Sequence, residues 1–97
     1  MSTTFIATLK VKPGREVEFE RLQQELSELT HLHEPDTFVY DVIRSRTDPS
    51  SYVVYGRFRD EVAFQAHQGT DFHERLVPPI LATLDADMQL DFYDWVA

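Results

Sequence analysis

Hydrophobic and polar positions alternate in four stretches of the chain. In Thr3–Lys12, TTFIATLKVK, Phe5, Ala7, Leu9 and Val11 share one parity, and Thr4, Ile6, Thr8 and Lys10 share the other. Period-two alternation is the mark of a strand with one face on a core. Pro13-Gly14 closes it, because proline fixes φ and glycine relaxes the turn. Thr37–Ser45, TFVYDVIRS, alternates again, with Phe38, Tyr40 and Val42 opposed to Val39, Asp41 and Ile43. The turn formers Thr47-Asp48-Pro49-Ser50-Ser51 separate it from a third strand, Tyr52–Phe58, so the pair reads as an antiparallel hairpin. Met88–Val96 is the fourth: Met88, Leu90, Phe92 and Val96 oppose Gln89, Asp91, Tyr93 and Trp95.

Between the strands the period changes. From Arg15 to Leu32, Phe19, Leu22, Leu26 and Leu29 recur at spacings of three and four, the apolar stripe of an amphipathic helix. Its acids include Glu16 and Glu18 in the first turn, where the helix dipole favours negative charge. Glu34-Pro35-Asp36 breaks it. Asp60 is placed to cap a short helix over Glu61–Gln68, with Gly69 as its stop. Thr70 or Asp71 can start a further turn. Val77-Pro78-Pro79 is expected to interrupt it, with Pro79 opening another helical turn that faces Ile80, Leu81 and Leu84 inward.

The order β-α-β-β-α-(α)-β predicts an α+β fold on the ferredoxin-like plan, a four-stranded antiparallel sheet with helices on one face. The later strands carry large apolar groups on both faces: Val39 and Ile43 oppose Phe38, Tyr40 and Val42, and Tyr93 and Trp95 oppose Leu90 and Phe92. A sheet face without helices would then expose an apolar patch. Its expected cover is the same face of a second copy, a homodimer with two-fold symmetry.

Composition narrows the function classes. Residues 1–97 are expected to form one domain, since a chain of 97 residues suits a single core. Nine Lys and Arg against seventeen Asp and Glu give a net charge of -8. No basic run is present to neutralise phosphates, so nucleic acid and anionic membrane are not expected partners. No apolar run approaches the roughly 20 residues that span a bilayer, and MSTTFIATLKVK lacks the charged and apolar regions of a signal peptide. With no cysteine, disulfides, thiolate metal sites and a cysteine nucleophile are excluded, and a cytoplasmic location is expected. Phosphate loops, dinucleotide fingerprints and nucleophile elbows are absent.

Particular residues then carry a resemblance that covers nearly the whole chain. Lys12-Pro13-Gly14-Arg15 follows the first strand; Glu34-Pro35-Asp36-Thr37 precedes Tyr40-Asp41-Val42, then Arg44 and Asp48-Pro49. Most telling is Phe58, Asp60, Ala63, Phe64, His67, Thr70 and Phe72 in that order. This pattern resembles the antibiotic biosynthesis monooxygenase (ABM) family of dimeric α/β-barrel proteins. There are departures: Gly56 stands where the family usually has an acid, Phe58 where it often has Trp, and Asp36 where it has Gly. The resemblance implies the fold, the dimer and a ligand cleft between sheet and helices. Its members include cofactor-independent oxygenases of anthrone- or quinol-like substrates, an isomerase, heme-degrading enzymes and proteins without known activity. The heme-degrading branch relies on an Asn, and this chain has none.

An oxygenase without a cofactor must make its substrate reduce O₂. It needs a base to deprotonate an electron-rich phenol or anthrone, hydrogen bonds for the resulting oxyanion, and an apolar pocket. His67 suits the base or an orienting group. It follows Phe64 by three, Ala63 by four and Asp60 by seven, so it shares their helix face. The same position also suits a buried histidine bonded to backbone near the helix end. Tyr40, Tyr55, Arg57, Phe58, Phe64, Phe72 and His73 are the candidates to line the substrate cleft. Each has a plainer reading too: core aromatics for the tyrosines, an acid partner for Arg57, and a surface or subunit contact for His73 beyond the break at Gly69. With that break, the six-residue spacing of His67 and His73 is expected to carry no chemistry. Gly56 suggests a bulge or room for a ligand. His31-x-His33 followed by Glu34 reads as a solvated helix end rather than a metal site, and Asp85, Asp87, Asp91 and Asp94 as a charged rim.

The functional expectation is a homodimeric monooxygenase that uses no metal, heme or flavin, acting with O₂ on an aromatic polyketide- or quinol-like molecule. The alternatives are a non-catalytic ligand-binding or accessory protein, and an isomerase or heme-binding member of the same superfamily.

Overall fold

The structure, a computed structural model, describes residues 2–97. Its elements are β1 (Thr3–Lys10), α1 (Glu16–His33), β2 (Thr37–Arg44), β3 (Ser51–Phe58), α2 (Glu61–Gln68), α3 (Asp71–Ala82) and β4 (Gln89–Tyr93). The strands form one antiparallel sheet in the order β2-β3-β1-β4, the ferredoxin-like plan expected from the alternation.

The helices lie on one face. Phe5, Ala7 and Leu9 of β1, Tyr40 of β2 and Tyr52, Val54 and Phe58 of β3 are buried against Phe19, Leu22 and Leu26 of α1, Phe64 of α2 and Leu76 and Ile80 of α3. Burying each such side chain contributes about 1.5–3 kcal/mol. Gly14 adopts φ 91°, a conformation that costs other residues a clash, and its N–H donates to the Glu16 carboxylate at 2.8 Å. At the far end of α1, Pro35 disfavours helical backbone in the residue before it. Glu34 accordingly leaves the helix at φ -122°, ψ 85° while its N–H still donates to the Thr30 carbonyl.

Gly69 ends α2 as expected, and three other local expectations change. The helix α3 runs unbroken through Pro78 and Pro79. Those prolines remove the N–H groups that would reach the carbonyls of Glu74 and Arg75. Both are exposed residues where water can take the vacant acceptors, and the buried stripe Leu76–Ile80 holds the helix together. Gly69 ends α2 at φ -93°, without the left-handed turn; Thr70 stops the helix by capping the next one. Two strands, β1 and β4, are shorter than the alternation suggests. Val11 makes only an isolated bridge to Leu84, and β4 stops at Tyr93. Finally, a bulge lies between Thr37 and Val39, which pair with Phe58 and Arg57. The extra residue, Phe38, leaves the parity of Tyr40 and Val42 and meets the Arg57 guanidinium, 5.7 Å from its ring centre.

The other sheet face carries no helix. Phe38, Ile43, Tyr93 and Trp95 are all exposed there, and the Arg57 guanidinium stacks 3.7 Å over the Trp95 ring.

Candidate active site

Between α1, the α2–α3 joint and the sheet lies a cavity of about 220 Å³. Phe5, Leu26, Val54, Phe64, Ile80 and Leu90 give it apolar walls, and Tyr40, His67, Gln68 and His73 supply polar groups. A larger groove of about 620 Å³ runs along the edge strand β2, where Glu20 already holds two partners. The Tyr52 hydroxyl donates to Glu20 at 2.5 Å, and Arg44 reaches the same carboxylate at 3.3 Å. Burial and Glu20 push the Tyr52 phenol up to about 12.

His67 is at the closed end of the cavity. Asp60 caps α2, accepting from the Ala63 N–H at 2.8 Å, and so sets the phase that turns Phe64 and His67 inward. His67 is 2% exposed, between the rings of Tyr40 at 5.0 Å and Phe58 at 5.2 Å. Its Nδ1–H donates to both Glu34 oxygens, at 2.9 and 3.0 Å. The Glu34 carboxylate also accepts from the Thr37 hydroxyl at 2.8 Å. A carboxylate only accepts hydrogen bonds, so the proton of this pair belongs to His67 Nδ1, and Nε2 is the nitrogen left for a ligand. The partner of His67 is thus a side chain 33 residues away, not backbone.

His73 is brought to the same place. Thr70 donates its hydroxyl to the His67 carbonyl at 2.9 Å and accepts from the His73 N–H at 3.3 Å. That joint sets the two imidazoles edge to face, 4.9 Å between centres. The break at Gly69, expected to separate them, is what lets them meet. Burial, then the neighbouring His67 charge, push His73 down to about 4, with Glu34 opposing. It is therefore neutral at physiological pH. Tyr40 is held well above the usual phenol range by burial and by Glu34, so it stays a neutral hydroxyl, able to donate a hydrogen bond.

The remaining candidates are not gathered with these. Phe64 lines the cavity; Phe58 lies fully buried behind it, against His67. Phe72 packs outside, stacked on His33 at 5.9 Å. The register that sets Tyr40 opposite Gly56 and Asp41 opposite Tyr55 puts Tyr55 and Arg57 on the helix-free face, away from the cleft. Gly56 makes neither bulge nor ligand space. A Cβ there would lie 2.5 Å from Phe5 Cε2, so the Phe5 ring occupies the room. Glu34 is the site residue that sequence reasoning missed. Its only local signal is an acid before a helix-ending proline, and no spacing ties it to His67. Among the described residues no three metal-binding side chains converge.

The model of the antibiotic biosynthesis monooxygenase family matches residues 3–78. The chain belongs to that family. Among solved structures, an ABM protein from Caulobacter crescentus CB15 shares 28% identity at a TM-score of 0.94, over 99% of this chain and 91% of that one. A second antibiotic biosynthesis monooxygenase shares 30% identity at a TM-score of 0.90, over 98% and 99%. A conserved protein from Methanosarcina mazei Go1 shares 25% identity at a TM-score of 0.91, over 96% and 91%. No curated protein matches the sequence. Gly56 lies under the Phe5 ring, and the acid that meets His67 is Glu34, from the end of α1.

Proposed function

We propose that the protein is a homodimeric monooxygenase that oxidises a small quinol-like phenol with O₂ and no cofactor. The observation that carries this reading is His67, tied through Nδ1 to Glu34 and lining an apolar cavity together with Tyr40, its ring 5.0 Å from the Tyr40 ring. Nε2 takes the phenolic proton, and Tyr40 donates to the oxyanion as charge develops. The anion passes one electron to O₂, and the radical pair joins at a ring carbon. The resulting hydroperoxide loses water. One oxygen atom stays on the ring as a hydroxyquinone, the other leaves in water, and the quinol supplies all the electrons. The cavity of about 220 Å³ is smaller than the roughly 300–1,000 Å³ of sites for drug-sized ligands. It favours one- or two-ring quinols over tricyclic anthrones.

The test is oxygen consumption with a panel of quinols and anthrones. The wild type consumes O₂ with the smaller rings, and His67→Gln lowers kcat on the order of 10²-fold or more. Equal rates in wild type and variant, both folded by circular dichroism, reject His67 as the base.

A second reading, a ligand-binding accessory protein, draws support from Phe5 filling the family's acid position. It predicts saturable binding of the same quinols without oxygen uptake.

A further inference from the structure

We infer that Glu34 is a positioning residue of this site, which fixes His67 in the tautomer that makes Nε2 the proton acceptor and holds the imidazolium once it forms. The inference rests on the reading that the cleft takes a proton from its ligand.

The geometry comes from three elements. Pro35 ends α1 at the residue that carries the carboxylate, so Glu34 sits on irregular backbone at the helix end. From there both of its oxygens reach His67 Nδ1, at 2.9 and 3.0 Å. Thr37, at the start of β2, holds one of the same oxygens at 2.8 Å. The carboxylate is 11% exposed and the imidazole 2%, so water competes little for either. A charged hydrogen bond in such surroundings is roughly twice as strong as a neutral one. With Nδ1 occupied by its own proton, the lone pair of the neutral ring can only be on Nε2. When Nε2 accepts the phenolic proton, the positive charge forms against a carboxylate already in place. His73, 4.9 Å away, must then be neutral, because a second positive charge at that distance would oppose the transfer.

An acid–amide exchange separates this role from mere packing. Glu34→Gln keeps the size of the side chain, but its amide can turn an N–H toward Nδ1. That would trap the opposite tautomer, as an amide in place of the acid does in hydrolytic triads. Nitrogen chemical shifts of the His67 imidazole in the ligand-free protein read the tautomer directly. The wild type is expected to show a proton on Nδ1. In Glu34→Gln the ring is expected to shift toward Nε2–H, with kcat lower on the order of 10²-fold and KM changed by less than a few-fold. Glu34→Asp is expected to restore the wild-type tautomer in part. A wild-type ring protonated on Nε2 alone overturns the inference whether or not any variant folds. So does an unchanged tautomer in folded Glu34→Gln. Because the shifts need no substrate, the two readings fail separately: the expected tautomers without oxygen uptake leave Glu34's role standing and remove the monooxygenase.

Discussion

His73 shows what one side chain gains from its neighbours. In the unfolded chain it titrates near 6.5, and in the folded protein near 4. Between those values the unfolded state holds a proton that the folded state refuses. This contribution to stability is therefore fully present above pH 6.5 and is lost as pH falls toward 4. With solvent screening at a half-buried ring, it amounts to about 1–2 kcal/mol. Chemical denaturation from neutral to acid pH is expected to show this loss in the wild type, and a loss smaller by that amount in His73→Gln. Parallel curves would mean that His73 is protonated freely in the fold. Of the residues in this cluster, His67 was legible in the sequence, because three- and four-residue spacing tied it to Phe64 and Ala63 on a capped helix. Glu34 was not, because its contact depends on where α1 ends relative to α2, and no local period carries that distance. Tyr55 and Arg57 were placed in the cleft because parity along one strand does not reveal which face meets the helices. The pairing of Tyr40 with Gly56 decides it.

At the scale of elements, the first three strands and the long helix were legible to within a residue or two, since hydrophobic period and capping chemistry are local, while β4 ends three residues before its alternation does. What escaped were places where packing outweighs local preference: α3 passing through two prolines, and the bulge that moves Phe38. The α2–α3 joint is the element-level feature with most bearing on the site. Thr70 both caps α3 and ties its first turn to the last turn of α2. Removing an N-cap hydroxyl costs about 0.5–2 kcal/mol. Thr70→Ala is expected to lose stability in that range. It should also spread the two imidazoles, seen as a weakened nuclear Overhauser effect between their ring protons. Loss of stability with the ring contact intact would show that packing alone sets the histidine geometry.

For the whole molecule, the order of elements was enough to predict the sheet and its one-sided helical layer. The helix-free face follows from the same plan, and there the exposed Phe38, Ile43, Tyr93 and Trp95 surround the Arg57 guanidinium. We propose that a second copy covers it. Sedimentation at micromolar concentration is expected to give twice the mass of one chain, and Trp95→Asp to shift that mass toward the monomer through a buried like-signed charge in a chain already at -8. A wild-type mass equal to one chain would remove the dimer from the proposed function.

The glycine beneath Phe5 ties two positions of the chain to each other. A side chain at position 56 cannot be added while the Phe5 ring stands 2.5 Å from its Cβ position. That ring is itself stacked with Phe58 at 5.9 Å and edge-on to Tyr40 at 6.4 Å. An acid there therefore needs a smaller residue at position 5, whereas shrinking position 5 alone would leave a hole in the core. Neither single step is neutral, so positions 5 and 56 can change only as a pair.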